Sequence, residues 1–513
     1  MLQTKRPSIN RSQRAVSRSV PAPVGGWNAR DALASMKPED AVTLENFFPK
    51  QSEVVTRSGS VLHCDTGEGT HTVKTLAEFK TGTTRKLVAG CNGKLINVTT
   101  STPSTIGSGF SSDAWRWVNF GNKIFFVNGT DAPQDWDGTT LTATAWSGVG
   151  LTITNLSDVV VFKERMFFIE KNTLNFWYGA AVKTITGALT KFPLQYVGNF
   201  GGVLQGIGTI TEDGGAGSND LLALYLSSGE VIIYSGSDPG SSSAWSLVGR
   251  FNIGALINAP PIQFGSDLIS INRGAYVPLT KIIPFGRSNP SSLDLSDKIS
   301  GEVVEKTRLY GDNNGWQALL FPGGRKLIFN VPLSSTIYTQ HVMNVDTHAW
   351  CKFTGWNFYQ FALFNDLLYA GGTDGKVYQC DTGTDDNGTE INASLQTAWN
   401  YFGSPDREKA FSMMRVIFTC VIDPNALMTS GVDFEIGVPN EAITMEDAGS
   451  LGAVWDIDEW NLGQWSGTTR TMKGWNGTTG VGYCFSLAVS LTMTEQVVSM
   501  QAFNVTFQPG GLT

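Results

Sequence analysis

Two clusters of acidic side chains come nearest to a metal-binding pattern in this chain. The clusters consist of Asp131, Asp135 and Asp137, and of Asp381, Asp385, Asp386 and Asn387. Oxygen-rich turns of this kind can bind calcium. Neither cluster has the EF-hand spacing with a glutamate at position twelve, and Asp-Gly or Asn-Gly sequences are also ordinary hairpin turns. Structural turns are therefore favoured, and no metal or other cofactor is predicted.

Histidine chemistry is the next candidate. The chain has four histidines, His63, His71, His341 and His348. The spacing of His341 and His348 in a strand-rich stretch predicts that they lie on opposite faces of one continuous strand. Neither pairs with a nucleophile in the sequence, so a structural role is expected. The phosphate loop GxxxxGK[ST], the HExxH zinc motif and the GxSxG elbow are all missing, and no enzyme activity is predicted.

One segment resembles the Asp-box turn of sialidases, Ser-x-Asp-x-Gly-x-x-Trp. It is the stretch from Ser235 to Trp245, which is a distorted single copy. Sialidases carry several such turns together with an arginine triad and a Tyr–Glu pair, none of which can be assigned here. Glycosidase activity would therefore depend on analogy of fold alone.

Composition limits the elements that could position any of these residues. The chain has 513 residues, 41% hydrophobic and 16% charged, which is enough for two or more packed domains. It contains 57 Gly, 15 Trp, 29 Phe and 12 Tyr. Glycine supplies positive φ in turns and aromatic side chains fill pleated faces, so this composition favours short strands joined by tight turns. An all-β fold is predicted.

No run of residues approaches the ~20 apolar residues that a membrane span needs, and residues 1–30 lack the apolar core of a signal peptide. A soluble protein made in the cytoplasm is expected. Its six cysteines are scattered without CxxC spacing, so they should be reduced and mostly buried.

Strand-turn-strand patterns recur along the middle of the chain. Val231–Tyr234 and Trp245–Ile253 flank a turn of Ser, Gly, Asp and Pro, which predicts antiparallel pairing around a long exposed loop. Further copies occur at 86–98, 123–129, 165–178, 221–234, 267–277, 326–331 and 366–379. Blades of a β-propeller need about 40–50 residues each. We therefore predict a β-propeller of about six blades over residues 61–420.

Three segments interrupt or precede this repeat. Residues 25–60 form a lead-in with one predicted helix that starts near Pro38 and ends before Pro49, because Ala41, Leu44, Glu45 and Phe48 have helical spacing. A helical insertion is predicted at 295–309. Residues 403–410 are expected to form a charged loop that leaves the ring.

The two ends of the chain differ from its middle. Residues 1–24 are predicted to be a basic extended arm; its cations are Lys5, Arg6, Arg11, Arg14 and Arg18. The arm could contact nucleic acid, or bind an acidic neighbouring subunit, or simply be solvated. Residues 421–513 are predicted to form a smaller β-sandwich-like domain. Its Trp455, Trp460, Trp465 and Trp475 could stack on sugars, but a subunit interface is favoured.

Three stretches resemble the nozzle and packaged-DNA stabilisation proteins of short-tailed bacteriophages, also called tail tubular protein B-like. The first runs from Gly25-Gly-x-Asn-x-Arg-Asp31 into Pro38-Glu-Asp-Ala-x-x-Leu-x-Asn-x-Phe-Pro49. The second is the Ser-Asp-Pro to Trp-Ser-Leu-Val-Gly stretch of 237–249, and the third is 344–378. The three occur in the right order and together span most of the chain.

The resemblance implies a structural virion protein of the phage tail. Six copies would surround the tail axis as the last section of the DNA channel, retain the packaged DNA and conduct it at ejection. The implied partners are an adaptor or head-to-tail connector protein, tail fibres or tail tip proteins, and genomic double-stranded DNA in transient contact. A peripheral receptor-binding propeller and a glycan-cleaving tail enzyme are the alternatives.

Charge suggests how such a channel would work. Residues 1–30 contain six basic and no acidic side chains, while the net charge of the chain is −8. A negative wall repels DNA and lets it slide, so net negative lumen loops are predicted. Candidate gate or contact loops contain Glu212 and Asp213, and the run Asp406, Arg407, Glu408 and Lys409. Mobile surface loops are the alternative for both.

Overall fold

The computed structural model describes residues 14–213, 218–257, 259–283, 294–435, 437–443, 446–447, 470–493 and 496–512. The chain divides into two compact units. Unit 1 comprises Met1–Arg57, Ala349–Cys351 and Glu390–Thr513, and unit 2 comprises Ser58–His348 and Lys352–Thr389.

Strands make up nearly all of the regular structure. The first five are β1 (Val16–Pro21), β2 (Gly26–Trp27), β3 (Asp40–Glu45), β4 (Phe47–Pro49) and β5 (Val54–Thr56). They are followed by β6 (Ser60–Asp65), β7 (Thr75–Thr81), β8 (Thr84–Cys91), β9 (Lys94–Asn97), β10 (Ser104–Ser108), β11 (Arg116–Phe120), β12 (Lys123–Val127), β13 (Gln134–Trp136), β14 (Leu141–Ala143), β15 (Trp146–Ser147), β16 (Leu156–Phe162), β17 (Arg165–Glu170), β18 (Asn175–Gly179) and β19 (Gly187–Pro193). Next come β20 (Leu204–Asp213), β21 (Ser218–Leu226), β22 (Glu230–Gly236), β23 (Trp245–Asn252), β24 (Ile262–Phe264), β25 (Asp267–Ile271), β26 (Tyr276–Pro278), β27 (Gln317–Phe321), β28 (Lys326–Pro332), β29 (Tyr338–Asn344), β30 (Trp350–Phe353), β31 (Phe358–Phe364), β32 (Leu367–Gly372) and β33 (Lys376–Cys380). The last nine are β34 (Ile391–Thr397), β35 (Arg407–Cys420), β36 (Leu427–Val432), β37 (Glu441–Ala442), β38 (Glu446–Asp447), β39 (Arg470–Lys473), β40 (Asn476–Gly482), β41 (Phe485–Met493) and β42 (Ser499–Leu512).

Unit 2 is a β-propeller, which confirms the predicted fold. Its sheets are β7–β10, β11–β14, β15–β19, β20–β23, β24–β26, β27–β29, and β31–β33 with β6. The innermost strands β7, β11, β16, β20, β24, β27 and β31 contact one another in turn, and β31 returns to β7. Each of these sheets contains one of the strand-turn-strand copies predicted from the sequence, including 267–277 in β24–β26. The sheet β24–β26 is the shortest, with strands of three, five and three residues.

Tight turns explain why the hairpins repeat so regularly. Asn92-Gly93, Gly121-Asn122 and Asn365-Asp366 each join two antiparallel strands, and both residues of each pair have positive φ. This geometry matches the twist of a two-residue hairpin, and Asn, Asp and Gly adopt it at low cost. The predicted pairing of 231–234 with 245–253 is also present, as β22 and β23.

The ring is closed by a strand from its own beginning. β6 pairs antiparallel with β33, and Cys64 lies opposite Val377. Residues 60–65 therefore complete the sheet that residues 358–380 begin.

Apolar clusters lie between successive sheets. Phe162 and Phe167 from the third sheet pack with Trp245 of the fourth, and the rings of Phe167 and Trp245 stack with centroids 6.1 Å apart. Cys64 and Phe364 of the closing sheet pack in the same way with Leu76 of β7. Each sheet thus buries both faces against its neighbours, which a single hairpin cannot do.

The helical insertion predicted at 295–309 is confirmed. A 3₁₀ turn at Asp297–Ile299 leads into helix α2 (Ser300–Tyr310), and the short helix α1 is Leu279–Ile282. Further 3₁₀ turns are Ile153–Asn155 and Leu194–Tyr196. Over the described ranges, no helix is long and apolar enough to cross a bilayer.

Unit 1 contains two sheets. One has the order β38-β39-β35-β42-β5-β4, with β1 beside β42 and β40 beside β35. The other runs β3-β34-β41-β36-β37, with β2 parallel to β3. Phe411 of β35 and Phe503 of β42 meet Phe485 of β41 at centroid distances of 4.9 and 6.4 Å, so the sheets pack as a sandwich.

Two expectations about this region are wrong. The sandwich unit begins at Glu390 rather than at 421, and it includes the first 57 residues, which had been assigned to an arm and a lead-in. The helix predicted at 38–48 is strands β3 and β4 instead. β3 is irregular between Ala41 and Thr43 where it pairs with β34. This bulge buries both Ala41 and Leu44 on a strand, and their spacing therefore imitates a helix.

The cysteines agree with expectation. All six are free thiols and all six are buried. Burial raises the pKa of Cys91 and of Cys484 to about 11, so both thiols are protonated at neutral pH and unreactive.

Candidate functional site

A cavity of about 310 Å³ lies where the innermost strands of the propeller begin. Lys74 immediately precedes β7, Arg116 is the first residue of β11, and Gln317 is the first residue of β27. A second cavity of about 690 Å³ shares Lys74, Asn314 and Tyr359 with the first. We call this pair of cavities the axial mouth.

The smaller cavity is positively charged. Lys74, Arg116 and Lys171 line it, and the residues described on its wall include no aspartate or glutamate. Asp312 lines the larger cavity, but its side chain is 88% exposed and it pairs with Arg273 at 2.6 Å. The walls of the two cavities therefore contain three cations, and no acidic side chain of these walls pairs with them.

The three cations differ in how they are held. Lys171 Nζ lies 3.4 Å from the carbonyl oxygen of Gly129, which is a long contact. Lys74 is exposed and Arg116 is half-buried, and neither donates a side-chain hydrogen bond within the described part of the chain. Their N–H groups are thus available to a bound molecule.

Asp158, on β16, is the acidic group that acts on Arg116. Burial raises the pKa of this carboxyl to about 6, although the charge of Arg116 and hydrogen bonds from the backbone of Val159 and Ile207 pull it down. Burial also raises the pKa of Tyr359, and again Arg116 opposes the shift. Arg116 is therefore the charged centre of the smaller cavity.

A buried hydroxyl borders the same region. Tyr338 is 2% exposed and lines the larger cavity, and its hydroxyl has no hydrogen-bond partner among the described residues. A Cβ on Gly315 would lie 3.1 Å from that oxygen. Gly315 lines the smaller cavity, and the absence of a side chain there makes room for the ring of Tyr338.

Side-chain amides fasten the strands around the mouth. Gln317 donates through Nε2 to the Phe361 carbonyl at 2.8 Å, and its Oε1 accepts from the Phe361 N–H at 2.7 Å. Asn119 bridges β11 and β7 similarly, donating to the Glu78 carbonyl and accepting from the Lys80 N–H. These paired bonds hold neighbouring blades in register, so the mouth is a preformed site.

The proposed gate run 406–409 is not a loop. Asp406 is exposed, but Arg407, Glu408 and Lys409 begin β35. Lys409 is 1% exposed, and its ammonium donates to the carbonyls of Ser404, Arg407 and Tyr483 at 2.7–2.8 Å. This lysine ties residues 404–407 to Tyr483, and its pKa is lowered because burial disfavours its charge.

The other proposed loop is partly a hairpin. Glu212 and Asp213 end β20 and lie opposite Asn219 and Ser218 of β21. Their side chains and residues 214–217 lie outside the described part. The sequence predicted a loop for these two acidic residues because a glycine-rich run follows them directly.

The proposed docking arm is described from Arg14 onward, and Lys5, Arg6 and Arg11 lie outside the described residues. Val16–Pro21 form β1, which pairs with β42 and buries Val20. This part is therefore a strand of the sandwich rather than a free arm. Arg14 and Arg18 remain exposed.

In the first acidic cluster, Asp137 forms a turn, as favoured from the sequence, whereas Asp135 lies within β13. Asp137 accepts from the N–H groups of Thr139 and Thr140, and Asp135 pairs with Lys123 at 2.5 Å. The described residues contain no group of acidic, His and Cys side chains that could hold a metal. The second cluster also has internal partners, since Lys326 pairs with Asp381 at 2.7 Å.

The expectation that His341 and His348 share a strand is wrong. His341 lies within β29, whereas His348 follows the turn after β29 and has a φ of +58°. His341 is fully buried, and its Nδ1 lies 2.9 Å from the hydroxyl of Tyr276.

The tryptophans of the C-terminal region are only partly described. Trp455, Trp460 and Trp465 lie outside the described residues. Trp475 is 39% exposed, and the guanidinium of Arg415 lies 4.8 Å from its ring centroid. The interface role remains a prediction.

Sequence analysis missed the axial mouth. Lys74, Arg116 and Lys171 come from three different blades and belong to no motif. One signal was present, because Lys74 and Arg116 both lie at the start of a blade's first strand. To predict the cavity from this signal, one would need to know how the strands of every blade align with those of the next blade.

Comparison with known proteins gives no family. No protein-family model and no curated protein matches the chain. Among solved structures it is similar to Saccharomyces cerevisiae Sqt1, with 9% identity and a TM-score of 0.37, covering 64% of this chain and 100% of that one. Chaetomium thermophilum Raptor has 8% identity and a TM-score of 0.39 and covers 64% of this chain. PorZ, a surface component of the Porphyromonas gingivalis type-IX secretion system, has 11% identity and a TM-score of 0.37 and covers 62%.

The matches span 37% of PorZ and 29% of Raptor, far less than the whole of either protein. Identities and scores at this level carry no argument about function.

Proposed function

We propose that this chain is a structural virion protein of a short-tailed phage, which forms the tail nozzle and conducts DNA at ejection. The observation that carries the proposal is the sequence resemblance in three blocks, which occur in the family's order. The blocks fall in both compact units, at 25–49 in unit 1 and at 237–249 and 344–378 mainly in unit 2. The resemblance therefore concerns both units rather than the propeller alone.

The first block has a structural reason for its residue types. Asn28 Nδ2 donates to both Asp31 and Asp40 at 2.9 Å, and its Oδ1 accepts from the N–H groups of Arg30 and Asp31. A Cβ on Gly25 would lie 2.4 Å from Asp40. The Gly, Asn and Asp of the signature thus specify one compact turn.

The third block is explained in the same way. Asn344 Oδ1 accepts from the Asp346 N–H at 2.9 Å, and Asp346 pairs with Arg325 at 2.7 Å. Asp374-Gly375 forms the turn between β32 and β33, and a Cβ on Gly375 would lie 2.1 Å from the Gly69 carbonyl. These residues build a blade, so the block supports a common architecture.

In this role the protein makes and breaks no bond. The Asp-box near-match gives no support to a glycosidase, because Asp238 accepts from the Gly240 N–H and pairs with Arg165 at 3.4 Å. We propose six copies around the tail axis, with an adaptor protein above and fibres or tip proteins beside them. The net charge of −8 suits a channel that DNA must leave without adhering.

The test is the position and copy number of the chain in virions of its phage. Cryo-electron microscopy of the intact tail should find six copies around a channel wide enough for duplex DNA. Native mass spectrometry of the purified full chain with its adaptor should give the same stoichiometry. Copies placed only at the tail periphery would contradict the nozzle and favour a receptor-binding protein, and release of sugar from host polysaccharide would favour an enzyme.

A further inference from the structure

We propose that the axial mouth binds a small phosphorylated ligand of about the size of a sugar phosphate. This site lies within one chain and does not depend on the proposed nozzle role. Four features carry it, namely the charge of the walls, the available donors, the buried hydroxyl and the size of the cavity.

Charge comes first. Lys74, Arg116 and Lys171 line a single cavity of about 310 Å³. Like charges gathered in one cavity repel one another, and water screens them less there than on an open surface. Asp158 interacts with Arg116, and with that carboxyl ionised the three cations of the wall still exceed it by two charges. A phosphate dianion would balance this excess.

The second feature is the kind of donor. Arginine offers a planar fork that matches two phosphate oxygens, and lysine supplies a mobile point charge. The side chains of Lys74, Arg116 and Gln360 have no hydrogen-bond partner among the residues that the structure describes. Structural cations elsewhere in the chain behave differently, since Lys326 pairs with Asp381 at 2.7 Å and Lys123 with Asp135 at 2.5 Å.

The third feature is the hydroxyl of Tyr338. A buried hydroxyl without a partner costs free energy that a bound acceptor or donor would recover. This oxygen lies beside Gly315, which lines the smaller cavity, and Tyr338 itself lines the larger one. A sugar hydroxyl or a phosphate oxygen placed there would complete its hydrogen bonding.

Size is the fourth feature. Small-molecule sites usually occupy ~300–1,000 Å³, and the cavities measure about 310 and 690 Å³. The smaller one suits a phosphate with part of a sugar ring, and the larger one leaves room for the rest. Paired amide bonds such as Gln317 to Phe361 keep the walls in place, so little ordering accompanies binding.

The experiment is isothermal titration calorimetry on the full chain, with glucose 6-phosphate as the probe at constant ionic strength. Glucose is the neutral control, citrate tests a carboxylate anion, and a short DNA duplex tests a macromolecular polyanion. We expect saturable binding of glucose 6-phosphate and no binding of glucose. Arg116→Gln should weaken binding about tenfold to a hundredfold, because it removes charge-assisted hydrogen bonds.

The matched control is Lys80→Gln, because Lys80 is an exposed lysine at the opposite end of the strand that Lys74 precedes. It should bind the probe as the unmodified chain does, and circular dichroism should confirm that both variants are folded. Equal binding by Arg116→Gln and the unmodified chain would overturn the proposal. The proposal would also be overturned if glucose 6-phosphate did not bind at millimolar concentration. It would equally be overturned if citrate or DNA bound in an Arg116-dependent way while glucose 6-phosphate did not.

Discussion

The indole Nε1 of Trp356 donates a hydrogen bond of 2.8 Å to Oδ1 of Asp386, and the Ser60 hydroxyl donates to the same oxygen at 3.2 Å. Trp356 precedes β31, Asp386 follows β33, and Ser60 begins β6. One carboxylate oxygen therefore joins both ends of the propeller at the blade that closes it.

Asp386→Ala should destabilise the closing blade. It leaves the buried indole N–H without its acceptor, and such a loss costs about 1–3 kcal/mol. Urea unfolding should give a lower free energy of unfolding by this amount. Asp312→Ala is the control, because its carboxylate is 88% exposed and should change the stability by less than about 0.5 kcal/mol. Equal effects of the two substitutions would contradict the role assigned to Asp386.

Substitutions at two glycines distinguish the free-energy cost of backbone strain from the cost of a steric clash. Gly229 and Gly109 have φ of +86° and +88°, so a side chain strains both equally. A Cβ on Gly229 would lie 2.0 Å from the Gly254 carbonyl, whereas a Cβ on Gly109 meets nothing within 4 Å. Gly109→Ala should cost about 1–2 kcal/mol from strain, and Gly229→Ala clearly more. Comparable melting temperatures for the two variants would refute the contact.

Lys409→Met tests the buried ammonium of unit 1. The substitution leaves three carbonyls, those of Ser404, Arg407 and Tyr483, without a donor. We expect a loss of about 2–4 kcal/mol in the free energy of unfolding, since hydrogen bonds to charged groups are each worth about 1.5–3 kcal/mol. Lys37→Met, at an exposed lysine of the same unit, should be nearly neutral. A neutral Lys409→Met would mean that water replaces the ammonium.

His341 should make stability fall on acidification. Burial, followed by the charges of Lys352 and Lys306, lowers its pKa from 6.5 to about 3. Tyr276 and Glu302 also face the ring, at 2.9 and 3.9 Å. Between these pKa values the unfolded chain binds the proton and the folded chain does not, so the contribution of His341 is lost as the pH falls below 6.5.

Urea unfolding of His341→Asn at several pH values between these limits measures this contribution. The stability difference between the unmodified chain and the variant should shrink as the pH falls. His71→Asn, at an exposed histidine, should follow the unmodified chain throughout. A pH-independent difference for His341→Asn would exclude the proposed proton linkage.

Asp158 should have the opposite effect on the pH dependence of stability. Its pKa is raised from 3.8 to about 6, chiefly by burial, so the folded chain binds the proton more tightly and stability falls as the pH rises through this window. Asp158→Asn should therefore be more stable than the unmodified chain at pH ~7, by about 1–2 kcal/mol, and this gain should vanish near pH ~4. Calorimetric melting at the two pH values would reveal it. A destabilised variant at neutral pH would mean that attraction to Arg116 outweighs burial.

The propeller was predictable because its signal is local and repeated. Each hairpin has alternating apolar residues and a turn such as Asn92-Gly93, so every copy of the pattern predicts the same structure. Helix α2 also has a local signal, since Glu302 and Lys306 pair along one helix face at 3.6 Å.

Errors arose where pairing between distant segments decided the structure. The bulge at Ala41 and Leu44 is stabilised by β34, some 350 residues later in the chain, and nothing local distinguishes it from a helix. Arg407, Glu408 and Lys409 look like a charged loop until Tyr483 supplies a carbonyl to the buried ammonium. The axial mouth likewise depends on which strand ends meet, and that is a property of the ring.

The strand that closes the ring has a consequence for biosynthesis. Residues 60–65 leave the ribosome more than 300 residues before their partner strand Lys376–Cys380. Loop closure over such a separation is entropically costly and slow. The nascent chain must therefore keep the edges of its early blades exposed until the last blade is made. This waiting period, rather than the stability of the finished ring, is when a chaperone or a neighbouring subunit would matter most.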